Sequence, residues 1–171
     1  MSIYTKNGDA GVTSLLNEES VSKADDRIEL IGLIDELSSY IGFAKVKADC
    51  ELKNKLSVIQ KDLITVMASI ADLSSQKYYI NEERVLEIEN EIDVIEKSFP
   101  REKGFVLYGG CELSARLDLA RAATRKSERY MVKINTKYKI NCFIMKYMNR
   151  LSDYLYILAR YEDYKIVNRN Q

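Results

Sequence analysis

Residues Asp118–Arg129 read DLARAATRKSER, and their polar members fall on one side of a helix. Asp118, Arg121, Arg125, Glu128 and Arg129 stand three or four positions apart, and at 3.6 residues per turn such side chains stack. Three arginines in one row repel each other unless an anion or a buried carboxylate lies against them. The segment therefore predicts both a helix and a partner for it.

Outward from this segment the helical period recurs. Gly109-Gly110 breaks it on one side, so the helix covers about Cys111–Lys133. Nearer the start of the chain, Ile28, Ile31, Ile34, Leu37 or Ser38, and Ile41 mark a helix that Asp25 or Asp26 can cap and that runs to about Ala48. Leu52, Leu56, Ile59, Leu63, Val66, Met67 and Ile70 mark another over about Glu51–Leu73. A third starts near Asn81, has Glu82 and Glu83 in its first turn, and stops before Pro100 and Gly104. The last covers about Tyr138–Asn168, with Ile144, Met148, Leu151, Leu155 and Leu158 on its apolar side. The first two dozen residues lack such a period and read as a polar loop. One proline, seven glycines and no tryptophan in 171 residues agree with an all-α chain. The expected fold is a single domain over 1–171: a loop over 1–24 and an up-and-down five-helix bundle over about 25–168.

Composition narrows the chemistry. Lys+Arg and Asp+Glu both number 26, so no global field draws the chain to nucleic acid or a membrane, and any anion site is local. Cys50, Cys111 and Cys142 are odd in number and widely spaced, which disfavours disulfides and a zinc site. With no histidine, His-based triads, His acid–base pairs and most catalytic metal sites are excluded. No resident metal is expected. Neither a signal peptide nor an apolar run of ~18 residues is present, so a soluble, reducing, cytoplasmic setting is expected.

Four constellations could carry function. In TKNGDAGVTS (Thr5–Ser14), Gly8 lets backbone approach a ligand, while Thr5, Lys6, Thr13 and Ser14 offer donors to phosphate. It lacks the Gly-Lys-Ser/Thr ending of a Walker loop, and a solvated terminus is the plain alternative. In the first helix Asp35 shares a face with Gly32, Ser39 and Gly42; a carboxylate there needs a cation unless the face is simply exposed. The fourth-helix row, if solvated, holds pairs worth only ~0.2–0.5 kcal/mol each. Yet it is rich in arginine, whose fork suits carboxylate and phosphate, and it follows FVLYGG with its isolated Phe105. In the last helix Asn149, Asp153, Tyr156 and Arg160 form a further polar row, beside Arg150 and Ser152.

Together these segments resemble the PduO-type ATP:cob(I)alamin adenosyltransferases. The likeness runs in order through IYTKNGDAGVTSLL, KADDR, GLIDELSSYIGFA, FVLYGG, LDLARAATRKSER and YMNRLSDYLYILARY. It implies a five-helix bundle assembled as a homotrimer, with ATP at a subunit interface under the N-terminal loop. The nucleotide contacts implied are Thr5, Lys6, Asn7, Gly8, Thr13, Ser14, Lys23, Arg125, Lys126, Glu128, Arg129 and Asn149. Asp35 would pair with Arg121 across the interface, and Phe105 would sit against the lower face of the corrin. Magnesium would accompany ATP; the reaction would move the 5′-deoxyadenosyl group to cob(I)alamin and release triphosphate. An electron-donating reductase and an adenosylcobalamin-dependent enzyme are implied partners.

Four positions depart from the family pattern. Tyr108 stands where a proline usually precedes the glycine pair, Asp118 replaces a histidine, Lys126 the second of two adjacent arginines, and Ser127 an alanine. Lys126 keeps its charge but loses the bidentate fork, and Asp118 could compete with Asp35 for Arg121. These changes motivate two alternatives: a carrier that binds ATP or corrinoid without turnover, and a structural helical trimer.

Overall fold

In the computed structural model residues 4, 6, 8–101 and 104–169 are described; Thr5 and Asn7 of the expected nucleotide loop lie outside them. Five helices follow a short hairpin: β1 (Val12–Leu15), β2 (Glu18–Ser22), α1 (Asp26–Lys45), α2 (Cys50–Ala71), α3 (Glu82–Ser98), α4 (Glu112–Tyr138) and α5 (Cys142–Arg169). The expected bundle is present, and the bounds differ from the periodicity by a few residues.

Each of the first four helices begins where a short side chain can satisfy its opening amides. Asp25, Asp49 and Asn81 accept from the backbone of Arg27, Leu52 and Arg84. Cys111 and Ser114 form a reciprocal capping box for α4. The α4 helix runs five residues past the expected stop at Lys133, because Ile134 is buried and keeps the turn packed. It ends at Lys139, whose φ of 51° is left-handed, with the Asn135 side chain accepting from Ile140 N at 2.8 Å.

The main correction concerns the N-terminus. Part of the stretch read as a polar loop forms an antiparallel hairpin, with Val12 opposite Ser22 and Thr13 opposite Val21. Its strands are four and five residues long and mostly exposed, too short for a period-2 pattern to stand out. Only Val21 is buried, and it anchors the hairpin.

Among the helices the main packing runs α2–α1–α4–α5–α3. Leu30, Ile34 and Leu37 of α1, Leu117 and Met131 of α4, and Leu151 and Leu155 of α5 have no exposed surface. Burying each such side chain contributes about 1.5–3 kcal/mol. Tyr147 donates to Asp62 at 2.8 Å, and Arg84 Nε reaches the same carboxylate at 2.9 Å, which joins α2, α3 and α5. No helix among the described residues is long and apolar enough to cross a membrane.

One carboxylate ties the start of α1 to the end of α4. Asp25 accepts from Arg27 N at 2.8 Å, Arg27 Nε at 3.1 Å and Tyr138 Oη at 3.3 Å. The Arg27 hydrogen bond, the largest influence, holds its pKa below the ordinary 3.8. A depressed carboxyl stabilises the fold above its unfolded pKa, and that contribution is lost as pH falls through the lower folded value. Asp25→Ala is expected to cost about 1–2 kcal/mol at neutral pH. Thermal melts should show the gap from the parent narrowing below pH 3.8; a gap independent of pH would contradict the charged role.

Candidate functional site

The hairpin lies over α1 and α2 and roofs a cleft of about 880 Å³. Thr13, Ser14 and Lys23 line it from the hairpin side, Gly32 and Asp35 from α1. Ile31 and Met67 supply an apolar wall. The backbone closes tightly here: Lys23 N donates to Gly11 O at 2.9 Å. At Gly8 an added Cβ would stand 2.9 Å from Lys23 Nζ, so the absent side chain makes room for the lysine. Thus Thr13, Ser14, Lys23 and Asp35 meet at one cleft, with Gly8 against Lys23. Lys6 is exposed at the hairpin's approach, with φ of 63°.

A second polar face belongs to α4 and α5. Arg125 and Arg129 are exposed, and among the described residues no carboxylate lies within ion-pair distance of either. Lys126 reaches Glu36 of α1 at 3.1 Å, an exposed pair worth at most ~1 kcal/mol and easily displaced. Glu128 accepts from Asn149 Nδ2 at 2.7 Å, Asn149 Oδ1 accepts from Arg150 at 2.7 Å, and Arg150 Nε reaches Glu89 at 2.7 Å. Asp153 stands exposed, yet partial desolvation by its neighbours pushes its carboxyl above the ordinary value, while Arg150 and Arg125 pull it back. Ser127 is buried; its hydroxyl finds the carbonyls of Leu33 at 3.2 Å and Ala123 at 3.0 Å, so the added hydroxyl is satisfied where an alanine would have none.

Arg121 has a different environment from the rest of its row. Asp118, 6% exposed, takes its Nε at 3.1 Å and also pairs with Arg160 Nη2 of α5. Within the protomer Asp35 faces the hairpin cleft and is exposed, so the nearer Asp118 holds Arg121 there. The Tyr108 ring lies 4.8 Å from the Arg121 guanidinium and 5.5 Å from that of Arg160. Phe105, three residues earlier, is fully exposed.

The expected residues therefore form two groups that share no lining residue within one protomer: the hairpin cleft and the α4–α5 face. Glu36 and Asp163 were not among them, and Arg160 was read only as part of a polar row. The signal for Asp163 was available, since it stands one turn after Arg160 and pairs with it at 3.2 Å. Glu36 carries no such pattern, because its partner is ninety residues away. Among the described residues no three His, Cys, Asp or Glu side chains gather to hold a metal.

A family model described as cobalamin adenosyltransferase matches residues 3–162. The corrinoid adenosyltransferase PduO of Salmonella typhimurium is 39% identical over 95% of this chain and 50% of its own length. A corrinoid adenosyltransferase of Bacillus subtilis is 36% identical over 94% of this chain and 86% of its own. The chain spans about half the length of the PduO proteins of Salmonella typhimurium and Citrobacter freundii. Among solved structures, a variant PduO-type ATP:corrinoid adenosyltransferase from Lactobacillus reuteri, complexed with cobalamin and ATP, superposes with a TM-score of 0.89. It is 34% identical and covers 95% of this chain and 91% of that one. A second variant of that enzyme, complexed with ATP, gives a TM-score of 0.88 at 34% identity over 95% and 94% of the two chains.

The raised pKa of Asp153 carries a stability consequence. A carboxyl whose folded pKa lies above its unfolded value favours folding when protonated, and that contribution is lost as pH rises through the folded pKa. Asp153→Asn is expected to raise the melting temperature at pH 7, and the gain should vanish below the ordinary 3.8. A lower melting temperature at pH 7 would show that the charge is favourably held.

Proposed function

This chain belongs to the cobalamin adenosyltransferase family, and on that premise we propose that it transfers the 5′-deoxyadenosyl group of ATP to cob(I)alamin, releasing triphosphate. One observation carries the reading beyond the family likeness: Arg125 and Arg129 stand exposed on α4 with no carboxylate at ion-pair distance among the described residues. A polyphosphate is the ligand such a row lacks.

In this reading Lys6, Gly8, Thr13, Ser14 and Lys23, together with Thr5 and Asn7, hold the nucleotide from the hairpin side. Arg125, Lys126 and Arg129 take the triphosphate from the α4 side, with Glu128 and Asn149 orienting it. No residue of the α4 row lines the hairpin cleft within a protomer, which supports a homotrimer whose sites lie between subunits, each uniting one chain's cleft with another's row. Asp35 then meets the free edge of Arg121 across that boundary. Magnesium would accompany ATP as a counter-ion to its phosphates.

Cobalt(I) of the substrate supplies the electron pair that forms the bond to the 5′-carbon, and the carbon–oxygen bond breaks with its pair leaving on triphosphate. No protein base is needed, which suits a chain without histidine. The residues align the reactants and stabilise charge growing on the leaving group. Phe105, as an apolar ring under the corrin, would exclude a lower axial ligand and ease reduction of cobalt(II), because axial ligation sets redox potential. An electron-donating reductase and an adenosylcobalamin-dependent acceptor enzyme follow as partners. The free cysteines suit a cytoplasmic setting. A carrier without turnover is the second reading, favoured by Asp118, which partly neutralises Arg121, and by Lys126, which is turned to Glu36.

Incubation with ATP, magnesium and chemically reduced cobalamin should yield adenosylcobalamin and triphosphate. ATP binding without a cobalt–carbon bond would leave the carrier in its place. Arg125→Ala should weaken ATP binding ~10–100-fold, the loss of one charge-assisted contact; unchanged affinity in calorimetry would remove the row from the site. Phe105→Ala should impair the reaction begun from cobalt(II) far more than that begun from cobalt(I), and equal losses would overturn the axial role.

A further inference from the structure

Residues 104–110 have few means of holding a shape. Phe105 and Leu107 are 111% and 95% exposed, and Gly104 and Gly109 adopt φ of 128° and 95°. Among the described residues no backbone–backbone hydrogen bond reaches this stretch. Two side chains attach it. Val106 enters a cavity of about 250 Å³ beside Phe99 and Tyr164. Tyr108 lays its ring against the guanidinium groups of Arg121 and Arg160.

Those two groups form a platform that cannot relax into water. Arg160 is 5% exposed and lies between the rings of Tyr108 and Tyr156, 5.5 and 5.4 Å away. Its Nη2 meets Asp118 and Asp163, whereas Nε and Nη1 are buried with no hydrogen-bond partner. An orphaned buried N–H is costly, and the negative face of an aromatic ring is the acceptor within reach. Asp118 and Asp163 balance Arg121 and Arg160 in charge. The platform also presses on the end of the segment, since a Cβ at Gly110 would stand 2.5 Å from Asp163 Oδ1.

We infer that Tyr108 is the positioning residue for Phe105: the Arg121–Asp118–Arg160 platform grips its ring and so fixes the segment that presents Phe105. The inference rests on the reading of Phe105 given above and adds the means of its placement. It also unites Tyr108 and Asp118, the aromatic ring and the buried acid that depart from the family pattern, in one cluster. Arg121 stands one turn before Arg125, so the device is built on the helix that carries the anion row.

The test uses the full chain and two readouts. The sequence holds no tryptophan, so Phe105→Trp installs a single tryptophan in the segment, excited selectively beyond the absorption of the tyrosines. Adding Tyr108→Ala to that background should raise the amplitude of its fast, nanosecond anisotropy decay at least ~2-fold, while Tyr108→Phe, which keeps the ring, should not. With Phe105 intact, Tyr108→Ala should lower the yield begun from cobalt(II), and the visible band of the four-coordinate species, ~10-fold. Its turnover of pre-reduced cobalt(I) should stay within ~2-fold of the parent. Unchanged anisotropy in the Ala variant, equal losses from both cobalt states, or a Phe variant as impaired as the Ala variant would each overturn the inference. If the parent makes no adenosylcobalamin, the proposed activity fails, yet the anisotropy comparison still decides whether Tyr108 orders the segment.

Discussion

Uncompensated positive charge on α4 is the constraint on which this molecule depends. Arg125 and Arg129 point away from the core with no carboxylate within ion-pair distance among the described residues, while the opposite side of the same helix buries Leu117, Ala120, Met131 and Ile134. One helix therefore fixes the core and displays a cationic row, and neither role can shift without the other. The contacts of α4 with α1 and α5 set where that row points.

Within the row the arginines do two different things. Arg121 is partly neutralised by Asp118, and with Arg160 it grips Tyr108. Arg125 and Arg129 lack such partners among the described residues. Like spacing in sequence thus conceals unlike environments, and the difference arises from α5, which brings Arg160 to the first turn of the row and Asn149 to its later turns. The hairpin cleft completes the scheme from another face, with Lys23 packed on Gly8 and Asp35 open to solvent.

Much of this was legible before the fold was known. The periods through Ile34, Leu56 and Leu151 lie on buried faces, because repeated burial every three or four residues leaves a strong mark. Asn81 caps α3, and Asp25, one of two residues read as possible caps, caps α1, because side-chain oxygens next to free amides have few alternatives. The hairpin left no such mark, being short and polar. The grouping of Thr13 and Lys23 with Asp35, and the pairing of Asp118 with Arg160, depend on how α1, α4 and α5 pack, and separations of this length have no local signature. Ser127 looked like an unexplained departure until the carbonyl of Leu33 appeared against it.

The most direct test of a phosphate row that completes another chain's cleft is complementation between two inactive variants, Lys23→Ala and Arg125→Ala, co-refolded in equal amounts. If every site takes its cleft from one chain and its row from another, about one quarter of all sites in the randomly mixed population are intact. Adenosyl transfer should return to that fraction of the parent rate. Activity no greater than that of the separate variants would contradict the account, since it would mean that the row and the cleft do not meet between chains.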